Sequence, residues 1–201
     1  MPTMPRRLFL VRHGETEGPS SLRFFGRTDI PLAEEGRTQI RRVQEALAGV
    51  AFDASFTSPL SRARESARIL LDGRGPMPRV VHAFREIDFG RIEGLTEAEI
   101  REREPDFYRA WRVERTSTGY PDGETLEGFR LRVVEAFDRL EEEGAVRGTA
   151  LVVAHRGTVR ALLSRLLGPA GWDRRDLLLG LGGWMSFVEN ASWEVERISP
   201  A

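Results

Sequence analysis

Two of the three histidines in this 201-residue chain stand directly after apolar runs of strand length. His13 follows residues 8–11 in Arg12-His13-Gly14-Glu15-Thr16, and His155 follows residues 151–154 in His155-Arg156-Gly157. One histidine beside a glycine at a strand end is an ordinary turn residue. Two such sites, one of them preceded by Arg12, point to chemistry instead, and the chemistry they fit is phosphoryl transfer without a metal. A phosphate dianion requires concentrated positive charge and many donors, which arginine forks and neighbouring backbone N–H groups supply. It also requires a nucleophile that is neutral at working pH and an acid for the leaving oxygen. Arg12 places a fork beside His13, and Gly14 allows a close backbone approach. Two further segments complete the set. Ser58-Pro59-Leu60-Ser61-Arg62-Ala63 is a strand end leading into a helix whose first turn carries Arg62, and residues 85–94 form a loop bearing Glu86. Taken singly, Arg62 reads as a surface arginine and the loop as a solvated turn.

These residues depend on the elements around them. Periodicity predicts a buried strand at 8–11, an amphipathic helix at 34–47, a short strand at 55–57, a helix at 60–71 and a weak strand at 79–82. Residues 96–140 read as mainly helical: Thr96 and Glu99 make a capping box, Pro105 can open a second helix, and Thr125 or Gly123 precedes a long third. The strongest strand is 149–154, followed by a helix at 158–167, and 185–189 with 193–198 resemble an antiparallel pair around Asn190. This alternation predicts an α/β fold with a mostly parallel sheet and helices on both faces. The expected organisation is a single domain over residues 1–201, with a small helical cap excursion at about 96–115. In such sheets ligands bind beyond the carboxyl ends of the strands, where both histidines fall.

Composition narrows the chemistry. The 40% hydrophobic and 30% charged content suits one sizeable core. A net charge of −1 gives no general attraction to nucleic acid or to an anionic membrane, so neither is expected as a partner. All 30 basic residues are arginine, which rules out lysine as Schiff base, general base or phosphate ligand. The absence of cysteine removes disulfides and thiolate chemistry. No apolar run is long enough to span a bilayer and residues 1–7 lack a following signal-peptide core, so a cytoplasmic enzyme is expected. The histidines have no spacing that would cluster them on a helix, and no cofactor or metal is expected. No Gly-x-Ser-x-Gly elbow supports acyl transfer.

In this order along nearly the whole chain, the segments resemble the histidine phosphatase (phosphoglycerate mutase-like) superfamily. Leu10-Val11-Arg12-His13-Gly14-Glu15-Thr16 is similar to its signature, Gly26-Arg27-Thr28-Asp29-Ile30-Pro31-Leu32 with Glu35-Gly36 to the loop and helix start that follow, and Ser58 to Ala63 to its second arginine motif. Glu86 to Gly94 is similar to its acid loop, and Val152-Val153-Ala154-His155-Arg156-Gly157 to its second histidine. The resemblance implies that His13 attacks phosphorus and that Arg12, Arg62 and His155 hold the equatorial oxygens. Glu86 would then protonate the leaving alkoxide and afterwards activate water. Nearby cations should keep His13 neutral by lowering its pKa, and a bound dianion should favour the protonated form of Glu86.

Some positions depart from the family pattern. Pro19 stands where many members have asparagine, and Phe25 where a polar side chain is common. One phosphate donor is then missing unless Arg23 or the Gly26 N–H replaces it. Arg156, where glycine is common, either contacts substrate or faces solvent. Phe107, Tyr108 and Trp111 with Arg109 and Arg112 could stack on a ring and pair with a second anion, or form core. The 26–32 loop and Tyr120-Pro121-Asp122-Gly123-Glu124-Thr125 are similar to the alpha-ribazole phosphatase branch and to broad-specificity phosphatases. The function this implies is metal-independent hydrolysis of small-molecule phosphate monoesters through a phosphohistidine, with alpha-ribazole 5'-phosphate as a candidate substrate. A phosphoglycerate mutase ranks lower, because mutases of the family carry a longer insertion with paired arginines where this chain has Arg112-Val113. A non-catalytic phospholigand-binding protein ranks below both, since His13 and Glu86 are present.

Overall fold

The apolar run Thr149–Ala154 forms a strand in the interior of a six-stranded sheet. The computed structural model describes residues 5–18, 21–114 and 118–199, so Pro19 and the far end of the expected excursion lie outside it. In chain order the elements are β1 (Arg7–Arg12), α1 (Glu34–Ala46), β2 (Ala54–Thr57), α2 (Ser61–Leu71), β3 (Arg79–Val80), α3 (Glu97–Arg103) and α4 (Pro105–Val113). They continue with α5 (Leu126–Glu142), β4 (Thr149–Ala154), α6 (Arg156–Leu166), β5 (Trp184–Glu189) and β6 (Trp193–Ile198). The sheet order is β3-β2-β4-β1-β5-β6, with β1 to β4 mutually parallel and β5 and β6 antiparallel at one side. The sheet is therefore mixed, and mostly parallel.

Both faces are covered, as parallel strands require. Successive side chains of a strand point to opposite sides. Leu8 and Leu10 of β1 and Ala150 and Val152 of β4 accordingly pack with Phe129, Val133 and Phe137 of α5 and Leu162, Leu163 and Leu166 of α6. Phe9, Val11, Leu151 and Val153 meet Ile40 and Val43 of α1 and Ala67, Leu70 and Leu71 of α2 on the other face. Thus β1 leads into a helix on one face while its neighbour β4 leads into a helix on the opposite face. A crevice opens between two such strands at their carboxyl ends.

Most predicted elements are present, and the differences have local causes. The expected strand at 79–82 stops at Val80, because the chain turns into a 3-10 helix at His82–Phe84 that buries Phe84 and leads Glu86 inward. The helix expected at 158–167 begins earlier, at Arg156, with His155 as its N-cap residue. Of the two proposed caps for the long helix, Thr125 is used: its hydroxyl accepts from the Gly128 N–H at 3.0 Å. The Thr96–Glu99 capping box forms, and Pro105 opens α4. Trp111 on α4 is buried, its ring 5.9 Å from Phe24, 6.2 Å from Phe107 and 6.1 Å from Tyr108. These aromatic side chains pack the cap onto the 24–25 loop, while Arg109 and Arg112 pair with Asp106 and Glu97 on its surface. Among the described residues no helix is long and apolar enough to cross a membrane.

Candidate active site

Register brings the two histidines together. Arg12 of β1 is paired with Ala154 of β4, so the next residue on each strand is a histidine, and the His13 N–H donates to the Ala154 carbonyl at 3.0 Å. Their rings lie 5.1 Å apart between centroids at an angle of 62°. On the far side of β4, Thr57 is paired with Val153, which places Ser58 beside His155 and starts α2 with Arg62 beneath the same crevice. His13, Arg62, Glu86 and His155 are all buried, though each is polar.

The hydrogen bonds assign atoms to roles. His13 Nδ1 is 2.7 Å from the Gly14 carbonyl, which can only accept, so Nδ1 carries the proton and Nε2 holds a free lone pair. Burial first, then Arg62 and Arg12, hold the pKa of His13 well below the usual histidine value, so the ring is neutral at pH 7. His155 is likewise depressed, by burial, Arg62, His13 and Arg12 in that order. Burial and the neighbouring Arg156 push Arg12 down to about 10, which leaves it cationic at neutral pH. Glu86 accepts from its neighbour's Ile87 N–H and from the Gly157 N–H, each at 3.0 Å, the latter belonging to the first turn of α6. A Cβ at position 157 would collide with Glu86 Oε1, so the glycine that follows Arg156 is what lets this carboxylate reach the helix. The Cβ missing at Gly14 instead makes room for the backbone of Gly36.

Among the described residues, three buried side-chain polar atoms have no hydrogen-bond partner: Arg12 Nε, Arg62 Nε and His155 Nδ1. Burying an unpaired donor costs about 1–3 kcal/mol. All three belong to the residues expected to hold phosphoryl oxygens. The rest of each guanidinium is braced by carbonyls: Arg12 donates to Leu179, and Arg62 to Thr28, Phe25 and Gly26.

Other expected contacts are not where they were sought. Arg23 donates to the Gly94 carbonyl and to Glu99, tying the loop to the first turn of α3, so its cation is already engaged. The Gly26 N–H donates to Glu93, while the Gly26 carbonyl accepts from Arg62. Both groups named as replacements for the missing donor are thus bonded within the protein. Glu93, within the acid loop but not singled out by the sequence, accepts from the backbone N–H groups of Gly26, Arg27, Thr28 and Phe89 and from the Thr28 hydroxyl. Glu124 accepts from Nε and Nη2 of Arg132 and from the Asp88 N–H. Against the opposing effect of burial, these bonds keep its pKa below the usual carboxylate range.

Arg156 is exposed and lines a cavity of about 280 Å³. Glu86, Gly157, Glu97 and Arg160 also line this cavity, and Phe24, Phe89, Trp111 and Trp172 supply aromatic lining. Among the described residues no group of three or more histidine, aspartate and glutamate side chains is placed to hold a metal ion.

Residues 8–197 match the sequence profile of the histidine phosphatase superfamily (branch 1). The chain is 32% identical over 161 residues to an adenosylcobalamin/alpha-ribazole phosphatase of Salmonella typhimurium, covering 80% of this chain and 79% of that one. It is 33% identical over 195 residues to a 2,3-bisphosphoglycerate-dependent phosphoglycerate mutase of Mesorhizobium japonicum, covering 94% of each. The crystal structure of the alpha-ribazole phosphatase from Shigella flexneri superposes with a TM-score of 0.83 at 28% identity, covering 94% of this chain and 95% of that one. The mutase relative is matched over almost its full length, so insertion length does not separate this chain from every mutase. With a profile spanning nearly all of its residues and relatives matched end to end, the chain belongs to the histidine phosphatase superfamily.

Proposed function

We propose that the protein is a metal-independent phosphatase that hydrolyses small-molecule phosphate monoesters through a phosphohistidine on His13. The observation that carries this reading is the set of three unpartnered buried nitrogens on Arg12, Arg62 and His155 around a neutral His13. In the first half-reaction the Nε2 lone pair of His13 attacks phosphorus as the bond to the ester oxygen breaks, and a proton on Glu86 passes to the leaving alkoxide. The three donors bear the charge on the equatorial oxygens. The Nδ1–H bond to the Gly14 carbonyl offsets the positive charge that the phosphorylated ring acquires. In the second, Glu86 takes a proton from water, the resulting oxygen attacks phosphorus, and the P–N bond breaks to release phosphate and neutral His13.

The aromatic side chains in the lining of the cavity beside Glu86 favour an alcohol with a flat face over a small three-carbon acid. Alpha-ribazole 5'-phosphate has this character, and the Salmonella and Shigella relatives are named alpha-ribazole phosphatases. The mutase reading, favoured by the Mesorhizobium relative, shares the phosphohistidine but requires it to persist until an acceptor hydroxyl arrives.

Trapping with labelled substrate, quenched in alkaline detergent so that a P–N bond survives, tests the proposal. The expected result is an acid-labile, base-stable phosphoenzyme that is absent in His13→Ala and that discharges to water without an added acceptor. Undiminished labelling of His13→Ala would refute the nucleophile. A phosphoenzyme inert to water until phosphoglycerate is supplied would transfer the reading to the mutase.

A further inference from the structure

The hydroxyl of Ser58 stands 2.7 Å from His155 Nε2, and both residues have zero exposure. A second contact limits what this hydroxyl can do. The Leu60 N–H donates to Ser58 Oγ at 3.2 Å, which occupies one oxygen lone pair. If His155 also donated to Ser58, the hydroxyl proton would need an acceptor, and no such bond is made among the described residues. A buried hydroxyl proton without an acceptor would be costly. The same arrangement would leave His155 Nδ1 as a bare lone pair facing the site that receives a phosphate dianion. With the opposite polarity every atom is used: Ser58 O–H donates to Nε2, and Nδ1 carries the proton. The His155 Nδ1–H is then one of the three unpartnered donors around His13.

We propose that Ser58 is a positioning residue that donates its hydroxyl to His155 Nε2, fixes His155 as the Nδ1–H tautomer and thereby points a donor at the phosphoryl oxygens. The proposal deepens the phosphatase reading and rests on it, because it presumes that His155 contacts the phosphoryl group. The relay is built into the sheet: pairing of Thr57 with Val153 puts Ser58 level with Ala154, one residue before His155. It also accounts for a serine at the first position of Ser58-Pro59-Leu60, where the Leu60 N–H holds the hydroxyl oxygen in place so that its proton is directed across to β4. In the Ser58→Ala variant nothing selects between the two tautomers of a neutral imidazole, and the fraction that presents an acceptor to phosphate repels it.

The test reads tautomer and anion binding separately. With three histidines in the chain, long-range ¹H–¹⁵N imidazole spectra at pH 7.5 are assignable from His13→Gln and His155→Gln. Wild-type His155 should show the Nδ1–H pattern, and an Nε2–H pattern in the wild-type protein overturns the proposal without recourse to any Ser58 variant. Ser58→Ala should show a shifted or mixed pattern, a vanadate Kd raised roughly tenfold by analogy with the loss of other supports behind a binding histidine, and a fall in kcat larger than the change in KM. Ser58→Thr, which keeps the hydroxyl, should restore the Nδ1–H pattern and most of the affinity. Retention by Ser58→Ala of both the wild-type pattern and the wild-type Kd would sink the proposal and leave the phosphatase reading intact. If His155→Ala binds vanadate as tightly as wild type, the underlying assignment of His155 fails, and the Ser58 proposal falls with it.

Discussion

At His13 and His155, burial and the neighbouring arginines act in the same direction, and both pKa values are depressed. The consequence reaches beyond catalysis. In the unfolded chain each imidazole recovers an ordinary pKa near 6.5, so between that value and the lower native one the unfolded state binds more protons than the folded state. Stability is therefore fully present above about pH 6.5 and is lost as pH falls below it, at about 1.4 kcal/mol per pH unit for each histidine that stays neutral in the fold. Urea midpoints measured between pH 7.5 and 5.5 should show this acid limb, and His13→Gln and His155→Gln should each make it shallower. Identical slopes in wild type and both variants would mean that the two rings are not held neutral. The histidines themselves were legible in the sequence because each ends an apolar run of strand length. The tautomers were not, since they depend on a carbonyl and a hydroxyl that only the folded backbone brings within reach.

Among the elements, the 25–28 loop shows how a remote charge organises the site. Its carbonyls at Phe25, Gly26 and Thr28 grip the Arg62 guanidinium, while its N–H groups and the Thr28 hydroxyl converge on the Glu93 carboxylate. The loop is thus polarised between an anion and a cation. Glutamine at position 93 has one acceptor oxygen where the carboxylate has two, and its amide protons would face donors. Glu93→Gln should cost about 1–3 kcal/mol in urea unfolding, the range for buried hydrogen-bonding groups left unpaired, and should also raise the vanadate Kd because Arg62 loses its brace. A stability loss with unaltered vanadate affinity would show that Arg62 holds its orientation unaided. Glu93 was not legible beforehand, since nothing local distinguishes it from Glu86 in a loop with several charged neighbours, and its partners lie about 65 residues away in sequence. The pairing of Arg23 was hidden for the converse reason: its proximity in sequence to the signature loop carried no information about Glu99, which it meets in the fold. The strands and capped helices fared better because period, caps and proline are local signals. The start of α6 was misplaced because Gly157 looks like an interruption, whereas the helix runs through it to admit Glu86.

For the whole molecule, the question is how the cap and the sheet together choose between an alcohol that leaves and one that is rephosphorylated. Glu86 and Gly157 line the cavity together with Trp111 of α4 and Phe24, against which Trp111 packs, so a phosphate ester held there would touch both the cap and the strand-end residues. Burying about 80 Å² of apolar alcohol surface there is worth roughly 2 kcal/mol, or about 30-fold in kcat/KM when the contact is kept in the transition state. Alpha-ribazole 5'-phosphate and phenyl phosphate should accordingly exceed glycerol phosphate and 3-phosphoglycerate by about that factor, measured as phosphate released with a mutase assay run in parallel. Arg156, exposed and also lining the cavity, acts against this preference. Its cation contributes little to a neutral ring but favours a carboxylate, so Arg156→Ala should raise KM for 3-phosphoglycerate more than for phenyl phosphate and widen the gap between them. A preference for 3-phosphoglycerate in the wild type, accompanied by movement of its phosphoryl group between hydroxyls, would reverse the assignment. The aromatic lining would then be packing for the cap alone, and Arg156 the residue that recruits the carboxylate of a mutase substrate.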